Sequence, residues 1–129
     1  MPAPLAIPAT DKTPQVLFDT QAGLLRMEGC SIHENAEAFF QPLMRNVEAY
    51  VRNPAPHTAV HIGLTYFNSS SSKYLLDLLK LFDDLNAARP GTVEVVWHYE
   101  PDDLDMEEAG EDYRALLDLP VRLEPGTIG

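Results

Sequence analysis

The sequence has a single cysteine, Cys30. One thiol cannot close an internal disulfide, so a reducing, cytoplasmic setting is expected. Basic residues are scarce: nine Lys and Arg against twenty Asp and Glu leave a net charge of −11. That balance argues against nucleic acid and anionic lipid as partners and favours partners with basic or apolar faces. No stretch approaches the ~20 apolar residues that a membrane span needs, so no membrane insertion is expected. The apolar N-terminus is interrupted by Pro2, Pro4 and Pro8 and has no basic region before it, so no signal peptide is expected either. Neither glycine-rich phosphate-binding pattern, G-x-x-x-x-G-K followed by Ser or Thr, nor G-x-G-x-x-G, occurs.

What remains is enough for a core. The chain has 129 residues, 45% of them hydrophobic, which suits one domain that buries about two-thirds of its unfolded surface. Residues 1–14 carry four prolines and read as a flexible tail, with the domain proper over 15–129. Gln15–Asp19 and Leu24–Glu28 read as two strands of a hairpin. A first helix is predicted from Glu34 or Asn35, with Ala36, Phe39, Phe40, Leu43, Val47, Tyr50 and Val51 facing the core. Pro42 predicts a kink or break after Phe40. Thr58–Phe67 reads as a central strand covered on both sides. Val60, Ile62, Leu64 and Tyr66 share one of its faces.

A second helix follows, to Ala88, where Arg89-Pro90-Gly91 stops it. Thr92–Tyr99 is the next strand. A third helix falls within Asp102–Asp118, with Met106, Ala109, Tyr113, Leu116 and Leu117 inward. Val121–Leu123 closes the chain as a short strand. The order β-β-α-β-α-β-α-β predicts an α/β domain: a mixed, mostly parallel sheet of about five strands with three main helices.

The most informative stretch joins the central strand to the second helix: Asn68 followed by Ser69, Ser70, Ser71 and Ser72. A helix start leaves its first N–H groups without intrahelical partners, and Asn and Ser satisfy them best. The helix dipole also favours negative charge there. A serine in this turn therefore has two possible roles: to cap the helix, or to carry a phosphate. Lys73 stands next to it, either to neutralise such a phosphate or to cover the helix end with its stem. A third use of the turn is to bind a free anion.

Other groupings are weaker. Glu100–Asp112 holds eight acids and no base, but lacks the spacing and central glycine of a calcium loop. It suits a solvated helix start matched to the dipole. His61 and His98 fall on neighbouring strands, and a small metal-dependent hydrolase using them with the acidic run is the alternative reading. Two histidines without a third placed ligand are an incomplete site. Cys30 and His33 lie three apart, and nothing completes a nucleophilic triad. No metal or other cofactor is expected.

Several segments together resemble one family. They are Glu28-Gly29, Glu34-Asn35-Ala36, Phe39-Phe40-x-Pro42-Leu43 and Tyr66-Phe67-Asn68-Ser69-Ser70-Ser71-x-Lys73. Leu75-Leu76-Asp77-Leu78, Trp97-x-Tyr99, Asp102-Asp103-x-Asp105-Met106 and Gly110-Glu111-Asp112 complete them. Spread from about Val16 to Leu123, they resemble the SiaC family of bacterial regulatory phosphoproteins. The resemblance implies a fold like the anti-sigma-factor antagonists (STAS) and no catalytic role. It implies a protein that, unmodified, binds and activates a diguanylate cyclase in c-di-GMP signalling and biofilm control. A serine/threonine kinase of the SiaB type would switch it off, and a PP2C-type phosphatase would restore it. The family's acceptor hydroxyl, usually a threonine, falls on Ser69, with Ser70 and Ser71 as fallbacks. Tyr66, Phe67, Asn68, Ser70, Ser71 and Lys73 would shape the switch and meet the partner. Asp102, Asp103 and Asp105 would offer a docking surface to basic side chains. Serine for threonine, and Cys30 and His33 before the first helix, depart from the family pattern.

Overall fold

The computed structural model describes residues 4–128. In chain order these form β1 (Leu5–Ile7), β2 (Gln15–Asp19), β3 (Leu24–Ser31), α1 (Ala36–Arg52) and β4 (Thr58–Phe67). Then come α2 (Ser69–Ala88), β5 (Val93–Tyr99), α3 (Leu104–Leu116) and β6 (Val121–Pro125). The strands make one six-stranded sheet whose spatial order is the chain order. β1, β2 and β3 pair antiparallel, and β3 to β6 pair parallel. The sheet thus has six strands rather than about five. The added one, Leu5–Ile7, lies in the segment read as a tail. It is a short edge strand between Pro4 and Pro8, the position in a sheet where proline is tolerated.

Each crossover advances one strand in the same direction. Right-handed connections of that kind put every helix on the same face. The buried side chains agree. Leu25, Val60, Val95 and Val121 form one row across β3–β6. They join Phe40, Leu43 and Val47 of α1, Leu75, Leu78 and Phe82 of α2, and Met106 and Tyr113 of α3 in one core. β4 is central, as predicted, but helices cover only one of its faces. The other face carries Leu17, Arg26, His61, Val96 and Arg122 in a row. Part of it lies under the C-terminal segment, where Ile128 packs against Gly63.

Two local rules gave way to context. α1 runs unbroken through Pro42. The hydrogen bond that Pro42 cannot make would go to the carbonyl of Ala38, and both residues face solvent, so no buried acceptor is stranded. Asn35 caps this helix, its side chain accepting from Ala38 N–H at 3.2 Å. The second exception is in β4. Gly29 pairs with Leu64, but Cys30 pairs with Tyr66, so Thr65 is an extra residue on β4. A one-residue insertion reverses the alternation of side chains beyond it. Tyr66, expected among the core residues, is therefore 59% exposed. Phe67 turns inward instead, its ring 6.1 Å from that of Trp97.

α3 is seated by one close approach. A Cβ added at Gly110 would stand 2.5 Å from Trp97 Cδ1, and Trp97 Nε1–H donates to the Met106 carbonyl at 2.9 Å. Leu116, expected inward, is 61% exposed. The buried positions of α3 are Met106, Gly110 and Tyr113, and Leu117 takes the next one as the chain leaves the helix.

Candidate functional site: the turn between β4 and α2

The bulge in β4 delivers the chain to α2 at Asn68, whose side chain accepts from Ser71 N–H at 3.0 Å. Asn68 is thus the N-cap, and α2 begins at Ser69. The capping role that the four serines were suited to is filled by their neighbour. Their hydroxyls are then divided by burial. Ser69 and Ser70 are exposed, Ser72 is half-buried and Ser71 is 1% exposed. Ser71, a fallback for modification, has its hydroxyl out of reach of an enzyme in this fold.

Both inner serines are held. Ser31 Oγ–H donates to Ser71 Oγ at 2.9 Å. His33 Nε2 lies 2.6 Å from Ser31 Oγ and donates to it, since the Ser31 proton is already directed at Ser71. Burial holds His33 below the usual imidazole range, which keeps it neutral and suits this role. On the other side, Tyr113 of α3 donates its hydroxyl proton to the Ser72 carbonyl at 3.0 Å. Burial raises the Tyr113 hydroxyl above its ordinary range, partly offset by its bond to Ser72.

Beside the turn, a groove of about 520 Å³ runs between α2 and α3. It is lined by Phe67, Ser69, Ser72, Lys73, Leu76, Ala109, Asp112, Tyr113 and Leu116. A second hollow of about 340 Å³ shares Phe67 and Ala109 with it and adds Thr65, Tyr66, Asp103, Asp105 and Met106. Among the described residues, the exposed large hydrophobic side chains are Tyr66, Leu104 and Leu116. Two of them line these hollows, and the third opens α3. An apolar strip rimmed by Asp105 and Asp112 thus continues directly from Ser69.

The structure therefore brings together Tyr66, Phe67, Asn68, Ser69, Lys73 and the start of α3. Within the acidic run it separates roles. Asp103 is committed as N-cap of α3, accepting from Met106 N–H at 3.0 Å, whereas Asp102 and Asp105 are exposed. Ser31 and Leu116 were not singled out from sequence as site residues. Ser31 is placed only by the pairing of two strand ends, Ser31 with Phe67.

The alternative constellation does not assemble. His61 Nδ1 and His98 Nε2 lie 2.9 Å apart, bonded to each other on the helix-free face. Among the described residues, no group of three or more His, Cys, Asp or Glu could hold a metal ion. Cys30 Sγ donates to the Asp11 carbonyl at 3.0 Å, away from His33. No helix among the described residues is long and apolar enough to cross a membrane.

Fold and turn define a small α/β domain that presents a free hydroxyl at a helix start beside an apolar, acid-rimmed groove. The chain belongs to the SiaC family of regulatory phosphoproteins, whose model matches residues 7–125. It is 31% identical over 121 residues to an uncharacterized protein of Pseudomonas aeruginosa (strain UCBPP-PA14), covering 93% of this chain and 94% of that one. Among solved structures it resembles apo-SiaC from Pseudomonas aeruginosa, with 31% identity and a TM-score of 0.85 over 95% of this chain and 98% of that one. It also resembles SiaC of Pseudomonas aeruginosa solved in complex with the diguanylate cyclase SiaD, which that SiaC activates. There the identity is 30% and the TM-score 0.88 over 95% of this chain and 99% of that one.

Proposed function

We propose that this chain, unmodified, binds and activates a diguanylate cyclase, and that phosphorylation of Ser69 switches it off. A kinase of the SiaB type adds the phosphate and a PP2C-type phosphatase removes it. The protein itself is a non-catalytic regulator working in the cytoplasm, and its output is c-di-GMP and through it biofilm formation. The likeness to an activator solved with its cyclase supports the partner class. The single observation that carries the choice of residue is the division of labour at the turn. Asn68 caps the helix, so the exposed Ser69 and Ser70 hydroxyls are left uncommitted, and of the two it is Ser69 that lines the groove.

The charge change explains why the fold tolerates a modification that the complex does not. A phosphate adds about −1.5 to −2 charges at pH 7. At a helix N-terminus that charge is stabilising by up to ~2 kcal/mol. A partner seated in the groove must desolvate the same phosphate, and Ser69 lines the groove together with Asp112. A loss of about 3 kcal/mol weakens binding more than a hundredfold. In this reading Tyr66, Phe67, Lys73, Asp102 and Asp105 meet the cyclase.

The test is incubation with kinase and ATP, mass spectrometry to map the phosphate, and a cyclase-binding assay on the product. The expected results are phosphate on Ser69, loss of binding in the phosphoform, and a Ser69→Ala variant that still activates but no longer responds to the kinase. Equal affinity of the two forms for the cyclase would overturn the switch.

A further inference from the structure

The end of β3 and the loop that follows it hold the serine turn at both ends. Asn68 N–H donates to the Ser31 carbonyl at 3.0 Å, and Asn68 Nδ2 donates to the His33 carbonyl at 3.2 Å. Two residues beyond Ser69, the Ser31 hydroxyl holds Ser71, and His33 Nε2–H supports the Ser31 hydroxyl. The His33 ring is fixed in turn by α1, with Phe39 at 4.6 Å and Phe40 at 5.6 Å between ring centroids. Ser31, His33 and Ser71 are 0%, 7% and 1% exposed, respectively. Ser69 and Ser70 are therefore a two-residue span between fixed ends, and the inner serine is tied down.

We propose that the His33–Ser31 pair restricts which serine of the turn is modified, acting as a positioning element that withholds Ser71 and leaves the exposed span that carries Ser69 open to the enzyme. The proposal rests on the phosphorylation reading above and adds to it the source of its selectivity. All four hydroxyls follow one another in sequence, so a modifying enzyme needs a structural cue to tell them apart. Removing the Ser31 hydroxyl leaves the buried Ser71 hydroxyl without its partner, and removing the His33 N–H leaves the Ser31 hydroxyl that holds Ser71 without its own donor. Either state favours opening of the first turn of α2. In the opened turn Ser71 reaches solvent and competes with Ser69. Packing of His33 is not sufficient on this account. The N–H at the Nε2 position is what matters, and a glutamine amide supplies one at similar reach.

The experiment compares wild type with Ser31→Ala, His33→Leu and His33→Gln. Each is incubated with the kinase and ATP, and the phosphate is assigned serine by serine. Amide exchange at Ser71 and Ser72, whose N–H groups bond to Asn68, is measured on the unmodified proteins. The expected result is a Ser71-to-Ser69 phosphate ratio at least about tenfold higher in Ser31→Ala and His33→Leu. Exchange at the two amides should be faster in the same variants. His33→Gln should stay within about twofold of wild type on both readouts.

An unchanged phosphate ratio in Ser31→Ala and His33→Leu would overturn the proposal. So would a glutamine variant as perturbed as the leucine one, which would reduce His33 to a packing residue. If wild type takes no phosphate on any serine, the switch reading fails instead. The positioning claim is then judged by amide exchange alone, and wild-type exchange in Ser31→Ala and His33→Leu refutes it.

Discussion

Tyr113 and Ser72 are joined twice: the tyrosine hydroxyl donates to the Ser72 carbonyl at 3.0 Å and lies 3.1 Å from Ser72 Oγ. This contact spans the groove from α3 to the first turn of α2, at the point where Ser69 is presented. Tyr113→Phe keeps the ring, which packs 5.2 Å from Trp97, and removes only the hydroxyl. The expected loss of stability is about 1–2 kcal/mol, the net value of one to two such bonds. Urea unfolding checks it. A larger effect on the Ser69 phosphorylation rate than on stability would show that the tie serves the turn more than the fold.

Gly110 sits where α3 crosses Trp97, and the space for a methyl group is already filled by the indole. Gly110→Ala improves helix propensity by up to about 1 kcal/mol, while overpacking of this kind costs about 1–3 kcal/mol. The steric term should win, because the obstructing atoms belong to a ring held by its own hydrogen bond to Met106. The expected outcome is a less stable protein with altered tryptophan fluorescence. An alanine variant of wild-type or higher stability would show that α3 can lift off the sheet without loss.

These two contacts also show what the sequence could and could not reveal. Helix stripes and caps were readable because they depend on residues three or four apart. The start of α1 near Asn35 and its stripe from Ala36 to Tyr50 are such cases. The reversal of Tyr66 and Phe67 was not readable, because alternation assumes a regular ladder. The extra residue at Thr65 is defined only against β3. The tie from Ser31 to Ser71 crosses forty positions and exists only once two parallel strands end side by side. The strand Leu5–Ile7 was obscured by its flanking prolines. An edge position with few ladder bonds accepts them.

Stability should fall on the acid side of neutrality. Burial holds His33, His61 and His98 below the ordinary value of 6.5, and the charge of neighbouring His61 lowers His98 further. Glu94 opposes the shift at His61, and Glu124 opposes it at His98. The unfolded chain takes up protons near pH 6.5 that the native state accepts only at lower pH. Between those values the unfolded state binds more protons, so the native state loses stability as pH falls. The mutual bond of His61 and His98 adds to this, since it requires a bare ring nitrogen on one of them. The urea midpoint should decline from pH 7.5 to pH 5.5. Replacing His61 and His98 together by glutamine should flatten the profile. A midpoint that rises on acidification would contradict the assignment.

Leu116 faces the groove rather than the core. It lies at the last position of α3, 61% exposed, and lines the groove opposite Lys73 and Leu76. A side chain this exposed contributes little to folding, so Leu116→Glu should change stability by no more than about 0.5 kcal/mol. At a docking surface the same substitution is severe. It removes an apolar anchor and adds a negative charge that a partner must desolvate beside Asp112. Cyclase binding should weaken by at least about tenfold, equivalent to about 1.4 kcal/mol. Titration of the cyclase with both proteins, alongside urea unfolding, measures the two effects separately. Full binding by a well-folded Leu116→Glu protein would move the docking surface away from the α2–α3 groove. Ser69 would then have to act through a different face of the turn.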